Sequence, residues 1–587
     1  MSALFGFTGP PNEKLLQHLR QQLHHRGPKS QAFAQSPTGS LGMVTEAEAI
    51  TAARWQGGCH QAKEPTGQTI NIAWAGYFLG EKLTGDKLLG RYRKQGIDFV
   101  AGLNGAFVLA VQEGKTLHLA RDGAGVRTAY YVQHQGRLLF ASEPKALWSL
   151  PGFSRRLRPA AVAEYLTFSF IPGDQTMLEG LYELPAGHIL SIDENNQPQL
   201  KRFFTFEVVN SRPVQSDEQW VQQFRNLFTQ AVAERMPPSS PVVFLSGGLD
   251  SSVVTAEVAR QSTQPVQTFA IHFGPKYPHE LDFARAVAQR CGTQHEEVLI
   301  EPRDFLPRLR QMIWHLDEPI GDPITMPNFE LSRRVAGRCG DEGSGWVFNG
   351  EGGDPLFGGP KNIPMLLHHW YGGVPRDERF RERLYLASYR RGYEELERLL
   401  SPELRAQIKL PDALESLLTP YFAAPHPSGF LDKLSVINIR MKGAHLILPK
   451  VERMYGAAGL TALCPLYDER LIRFSFEMPS YFKLHQGSEK VILKRAFAEL
   501  LPPEVITRPK SGMRVPVHFW FQGEMRSYVQ KILSPRSLRK VGLFDPERVA
   551  QLLAYDITEG PGRYGLRLWM LLTLEIWRRL VIEGESV

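Results

Sequence analysis

The period of the apolar positions changes twice along this 587-residue chain. Up to about residue 200, short alternating or β-branched runs separated by glycine predict strands, as in GAFVLAVQEGKTLHLARDG from Gly105 and GRLLFAS from Gly136. Two helical patterns interrupt them, NEKLLQHLRQQLHH from Asn12 and RPAAVAEYLTF from Arg158. Mixed elements of this kind predict an α+β layered domain. The polar stretch VVNSRPVQSDEQ from Val208 then precedes an amphipathic helix expected over Trp220 to Arg235. Beyond it the pattern becomes strand–helix–strand. VVFL from Val242, QTFAIHF from Gln267 and HEEVLI from His295 predict strands, with helices at SVVTAEVARQ and LDFARAVAQRCG between them. Such alternation predicts a parallel sheet with crossover helices. The remainder to Val587 reads as mainly helical, broken at HPSG and LPPEV, and no internal repeat occurs.

Two domains follow, one over 1–205 and one over 216–587, since a chain this long exceeds a single core. Composition narrows the class little: 43% hydrophobic and 22% charged residues suit a globular protein without a membrane span. The net charge of +7 comes from scattered Lys and Arg, which suits a solvated surface tolerant of an anionic substrate. No basic stripe marks a nucleic-acid partner. Cys59, Cys291, Cys339 and Cys464 are far apart, which argues against a disulfide framework or a zinc site. No secretory segment is apparent at the N-terminus. The late run LRLWMLLTLEIW carries Arg567 and Glu575 and reads as a buried helix, not a bilayer span. A cytoplasmic location is the expectation.

The chemistry is concentrated in SGGLDSS, Ser246 to Ser252, between a predicted strand and helix. Gly247 and Gly248 permit a tight turn and close approach to an oxyanion. The next helix offers unpaired N–H groups to phosphate. Ser246, Ser251 and Ser252 add hydroxyl donors, and Asp250 can hold Mg²⁺. No GK[ST] follows, so this is not a Walker A loop.

The string and its flanking sheet resemble the pyrophosphatase-loop ligases, and more narrowly the synthetase domain of the asparagine synthetase family. FASEPKALW, YLTFSFIPGDQTMLEGLYELPAGHIL, FNGEGGDPLFGG, LPKVERMYGAAGL and ITRPKSGMRVPVHFW match family landmarks in order. The resemblance implies ATP and pyrophosphate contacts at Leu245, Ser246, Gly247, Gly248, Asp250, Ser251, Ser252, Ile271 and Gly350. It implies Mg²⁺ at Asp250 and Asp354, a general base at Glu351, and a lysine, Lys510, placed against negative charge developing at the acyl centre. The family's usual acid after that Asp is replaced by Pro355, which removes a backbone donor and puts the local metal shell in question.

Residues 1 to about 200 resemble the family's class II glutaminase, an Ntn-hydrolase-like domain with an N-terminal Cys nucleophile. This chain has Ser2 instead, and Trp74-Ala75-Gly76 stands at the Asn-Gly-Glu segment that supplies oxyanion donors. Trp74 is expected to bring bulk into that site. Val44 and Thr45 follow LGM, where the family has an Arg that grips glutamine. Loss of nucleophile, donor and clamp together predicts no glutamine hydrolysis. In the acceptor region Thr461 and Leu463 replace an acid and an arginine. Two readings of that pair stay open: loss of an aspartate carboxylate clamp, or a structural exchange absorbed by packing.

The resemblance therefore implies an ATP-dependent, AMP-forming amide-bond ligase with a silent glutaminase-like domain. Its partners would be a small-molecule or peptide carboxylate and ammonia or another amine, and a homodimer is compatible. An ammonia-dependent asparagine synthetase, an intramolecular ligase like the β-lactam synthetases and lasso-peptide cyclases, and a nucleotide-binding pseudoenzyme are the alternatives.

Overall fold

A computed structural model describes residues 1–46, 57–193, 197–207, 214–339, 345–359, 365–366, 378–389, 393, 395–508, 512–554 and 564–587. Lys510 lies outside the described residues.

The N-terminal strands form two six-stranded sheets. The first runs in the order β10 (Leu181–Glu183), β8 (Tyr130–His134), β9 (Arg137–Ala141), β1 (Ser2–Thr8), β3 (Gly39–Thr45), β2 (Ser30–Ser36). The second runs β12 (Pro198–Arg202), β11 (His188–Ile192), β7 (Thr116–Arg121), β6 (Gly105–Glu113), β5 (Thr69–Phe78), β4 (Gly58–Lys63). Strand alternation explains the layering. Along β1, Ala3, Phe5 and Phe7 join a core with Leu16, Leu19 and Leu23 of the helix Glu13–Leu23. Leu4 faces the other way, toward Ala73, Ala75, Val108 and Ala110 of the second sheet. That sheet's outer face packs Ile70, Ile72, Trp74 and Phe78 on Leu88, Leu89 and Tyr92 of the helix Gly85–Gln95. The result is the helix–sheet–sheet–helix layering expected of the N-terminal half. The predicted helix at Asn12 is present, and the Asn12 side chain caps it by accepting from the Leu15 N–H at 3.1 Å.

The second half is built on a five-stranded sheet in the order β15 (Gln294–Leu299), β14 (Gln267–His272), β13 (Val242–Phe244), β16 (Trp346–Phe348), β17 (Thr461–Leu463). All its pairings are parallel. The sequence pattern marks three of these strands. β16 and β17 fall in the part read as helical, because runs of three residues carry no period of their own. The helix expected from Trp220 begins at Asp217 behind a Ser216–Gln219 capping box. LRLWMLLTLEIW lies within the helix Tyr564–Val581, where Trp569, Leu571, Leu572 and Trp577 are buried. Among the described residues no helix is long and apolar enough to cross a membrane.

The two halves share a continuous apolar core, and within it they also meet over buried charges. Glu143, from FASEPKALW, accepts from Lys145 at 2.5 Å and from Arg453 at 2.8 Å, with His25 Nε2 at 2.9 Å and Arg26 Nε at 3.3 Å. Arg453 reaches Asp317 at 3.1 Å, and Lys145 reaches the same carboxylate at 2.6 Å. Glu452 pairs with Arg26 and, at 2.8 Å, with Arg127. Glu452 and Arg453 sit on the helix Leu448–Gly456. The N-terminal layers therefore grip a helix whose neighbouring residues enter the candidate site.

Candidate active site

Val242–Phe244 ends at Leu245, whose N–H donates to the Phe269 carbonyl at 2.9 Å, and the chain then turns into the helix Leu249–Gln261. Gly247 makes the turn with φ +80°. A Cβ there would fall 2.7 Å from the Glu280 carbonyl oxygen and 2.8 Å from the Ala284 nitrogen, so only glycine fits without a backbone shift. The loop is tied internally. The Ser246 N–H donates to Ser251 Oγ at 3.2 Å, and the Ser246 and Ser251 hydroxyls share a hydrogen bond at 3.0 Å. Ser252 corrects an expectation: its hydroxyl donates to the Gly248 carbonyl at 2.8 Å and is fully buried. It braces the loop from beneath, a common outcome for a hydroxyl one turn after a helix carbonyl.

The segment after β16 closes over this loop. A Cβ on Gly350 would meet the Ser251 nitrogen at 2.4 Å, and one on Gly353 would meet Asp250 Oδ1 at 2.1 Å. The glycines of NGEGGD therefore let two backbones touch. A cavity of about 290 Å³ opens between the segments, at the carboxyl ends of β13, β14 and β16. Open α/β sheets place ligands at such strand ends. Leu245, Ser246, Gly248, Asp250, Ser251, Ile271, Gly350, Glu351 and Asp354 all line it, so most sequence-selected residues converge there. Gly512 and Met513, just beyond Lys510, line it too and border a second space of about 140 Å³ that also shares Ser246 and Ile271.

Several charged residues of the site carry no local sequence signal. Lys490 is buried and left-handed, with φ +58°, at the start of the helix Val491–Phe497. Its ammonium lies 2.6 Å from Asp250 Oδ2 and also contacts Asp354. A non-glycine residue at positive φ stores strain that the surrounding contacts hold in place. Lys450 is buried and donates to Asp322 Oδ2 at 2.8 Å. Burial opposes its charge, but Asp322 and Glu351 outweigh burial and hold its ammonium above the usual lysine value. Lys450 is visible in LPKVERM only as part of a landmark, because its partners are remote in sequence.

Glu351 is half-buried, and its N–H donates to Asn349 Oδ1 at 3.0 Å. Burial pushes its carboxyl up; Lys450 pulls it down, and Asp322, Asp354 and Asp250 push it up again. The net rise brings a carboxylate nearer the range where it accepts a proton at neutral pH. Asp250 and Asp354 supply two hard oxygen donors beside a phosphate-shaped loop. That fits Mg²⁺, which takes one or two carboxylates from protein and completes its shell with phosphate and water. Pro355 is the third residue of the helix Gly353–Phe357, where the missing N–H would have no intrahelical acceptor.

In the N-terminal half, the Gly76 N–H donates to Ser2 Oγ at 2.9 Å. Trp74 corrects a second expectation. Its indole packs with Phe78 and the Gly85–Gln95 helix on the far face of β5, away from Ser2. Ala75 is the residue that faces the layer between the sheets, and its methyl has no N–H to offer an oxyanion. Val44 and Thr45 are buried, with Thr45 Oγ1 donating to the Met1 carbonyl at 3.2 Å. Burial, reinforced by Arg127 and Arg26, drives the Met1 amine down to about 4. Thr461 and Leu463 are buried on β17, in register with Trp346 and Phe348. They do not line the cavity, which favours the packing reading of that pair.

The model for asparagine synthase matches residues 223–579, more than half of the chain, and a glutamine amidotransferase domain model matches 84–204. The chain belongs to the asparagine synthase family. Asparagine synthetase [glutamine-hydrolyzing] 1 of Bacillus subtilis (strain 168) is 23% identical over 97% of this chain and 94% of its own length. A putative asparagine synthetase [glutamine-hydrolyzing] of Mycobacterium tuberculosis (strain ATCC 25618 / H37Rv) is 25% identical over 86% and 80%. Amidase chyE of Penicillium rubens is 29% identical over 46% of this chain and 42% of its own. The amidotransferase match begins after Ser2, Val44 and Ala75.

One expected result arises directly from the loop. Gly247→Ala should weaken ATP binding about 5- to 150-fold, the equivalent of roughly 1–3 kcal/mol of backbone strain. Isothermal titration with ATP and Mg²⁺ measures it, and unchanged affinity would show that the turn does not hold the nucleotide.

Proposed function

We propose that this protein is an ATP-dependent, AMP-forming ligase that activates a carboxylate as an acyl-adenylate for attack by ammonia or another amine, without hydrolysing glutamine. The observation that carries the reading is the convergence of Ser246, Asp250, Glu351 and Asp354 on one cavity, with Lys490 2.6 Å from Asp250. ATP and Mg²⁺ fit the loop N–H groups and the Asp250–Asp354 pair, where bound Mg²⁺ would offset phosphate charge. Lys490 places a fixed cation beside that charge, and Lys510 is assigned the same role at the acyl centre. Glu351 takes a proton from the attacking amine. The helix Leu448–Gly456 orients Lys450 toward Glu351 and Asp322. The residues assigned to turnover favour an enzyme over a nucleotide-binding pseudoenzyme, and the B. subtilis relative's name makes an ammonia-dependent asparagine synthetase the nearest second reading.

The N-terminal half acts as scaffold. Ser2 keeps its contact with the Gly76 N–H, but Ala75 offers no second donor, and Ser2, Val44, Thr45 and Ala75 are each no more than 2% exposed. The test is pyrophosphate exchange into ATP across a panel of carboxylates, then product formation with ammonia or glutamine. Carboxylate-dependent exchange and ammonia-dependent product are expected, with glutamine inert and Ser2→Ala unchanged. Ammonia released from glutamine and abolished by Ser2→Ala would overturn the silent-domain reading. Nucleotide binding without exchange for any acid would overturn the ligase.

A further inference from the structure

A second space lies at the junction of the two halves, apart from the larger cavity. Its volume is about 20 Å³, room for one water-sized occupant. Tyr130, Thr176 and Glu183 line it from the first half, and Glu318, Ile320 and His445 from the second. Pro449, beside Lys450 on the helix Leu448–Gly456, belongs to the same wall.

The carboxylates here are unequally served. Glu183 is engaged on both oxygens: Oε1 accepts from Arg121 Nη1 at 2.7 Å, and Oε2 lies 2.9 Å from His445 Nδ1. Glu318 accepts from the Met177 N–H at 2.8 Å through Oε2. Its Oε1 is closed off from solvent and has no hydrogen-bond partner among the described residues. The neighbouring cations are committed elsewhere. Arg158 holds both oxygens of Glu164 at 2.6 Å, while Lys145 and Arg453 serve Asp317 and Glu143. Burial pushes the Glu318 carboxyl up to about 8, with Glu183 and Asp317 adding to the rise against the Met177 N–H and Arg158. A buried acid without a counter-ion is neutralised by a proton or by a cation, and a space at its free oxygen admits the cation.

Charge and size select the ion. Mg²⁺ and Ca²⁺ take six or more ligands, more than a space for one occupant supplies. Among the described residues no three His, Cys, Asp or Glu side chains converge on one metal position. Potassium needs no such set, and it exchanges its hydration shell for protein oxygens more readily than sodium does. We propose that the junction cavity binds one potassium ion at Glu318 Oε1, and that the ion ties the two halves together beside the helix carrying Lys450. The site goes beyond the ligase reading and does not depend on it, since none of its lining residues borders the larger cavity.

The test follows thermal unfolding of the full-length protein at constant ionic strength in potassium, sodium or tetramethylammonium chloride, the last cation being too large for the cavity. Potassium should raise the midpoint above those in the other two salts, and the rise should grow with potassium concentration, as binding to the folded state requires. Glu318→Gln keeps the size of the side chain and removes its charge, so its midpoint should be the same in all three salts. Crystals of the wild-type protein grown in rubidium chloride give a second measurement that needs no variant. An anomalous-scattering peak in bonding contact with Glu318 Oε1 is expected there. A potassium midpoint no higher than those in sodium and tetramethylammonium, a potassium response that survives Glu318→Gln, or density for water alone beside Glu318 would each overturn the proposal.

Discussion

Glu351→Gln is expected to leave carboxylate-dependent pyrophosphate exchange near the wild-type rate and to lower amide formation by about 10²- to 10⁴-fold, the usual contribution of a positioned general base. The two readouts divide because exchange reports activation of the acid, whereas only the amine step needs a proton acceptor. Gln keeps the size of Glu351 and the N–H contact to Asn349, so a fall in both readouts would mark a structural role instead. The pH dependence follows from the environment. Burial raises the Glu351 carboxyl, Lys450 lowers it, and Asp322, Asp354 and Asp250 raise it, with a net rise. A raised carboxyl is ionised only above that value. Amide formation, normalised to unprotonated amine, should therefore fall on the acid side through a pH above the ordinary glutamate range near 4.3. Lys450→Met removes the one cation in that set and should move the acid limb to still higher pH. A limb that stays in place in Lys450→Met would disconnect Glu351 from the profile.

Glu143→Gln should destabilise the fold by about 3–5 kcal/mol, the range for breaking a buried ion pair from one side. Glu143 is 1% exposed and is touched by His25, Arg26, Lys145 and Arg453. Neutralising it leaves three buried cations facing one another with only Asp317 and Glu452 to offset them. The variant Glu143→Gln/Arg453→Met removes one of those cations and should recover part of the loss, a non-additivity that denaturant midpoints would measure. Additive losses would mean that the cluster does not act as a unit. Acid stability should change as well. Burial pushes the Glu143 carboxyl up, but Lys145, His25, Arg453 and Arg26 outweigh burial and hold it well below its ordinary value. A depressed carboxyl stabilises the fold above its unfolded value of about 4.3 and loses that contribution as pH falls through the folded one. The variant should therefore differ from wild type most at neutral pH and least in strong acid. Because Arg453 shares its helix with Lys450, loss of this anchor should also lower the amide-forming rate before global unfolding sets in.

The cluster gives the N-terminal half a structural role that does not depend on glutamine chemistry. It holds the helix that carries Lys450, and a C-terminal domain cut free of it would leave Glu452 without Arg26 and Arg127, Asp317 without Lys145 and Arg453 without Glu143.

Sequence pattern determined the layered N-terminal half, the first three strands of the parallel sheet and the SGGLDSS turn, and family resemblance added the residues of NGEGGDP that meet it at the cavity. These are local matters: alternation selects a sheet face, a capping residue fixes a helix start, and two glycines permit a turn. Tertiary structure decided everything that depends on which side of an element a residue occupies or which distant charge it meets. Trp74 reads as an obstruction to the Ser2 site, yet the period of two turns its indole to the opposite face of β5. Ser252 reads as a phosphate donor but lies one helical turn beneath Gly248 and bonds its carbonyl. Thr461 and Leu463 read equally as a lost clamp or a structural exchange, and their burial in a strand too short to announce itself favours the exchange. Lys490 carries no motif at all. Its place in the site comes from carboxylates more than a hundred residues away in the chain, and only folding brings such charges within reach of one another.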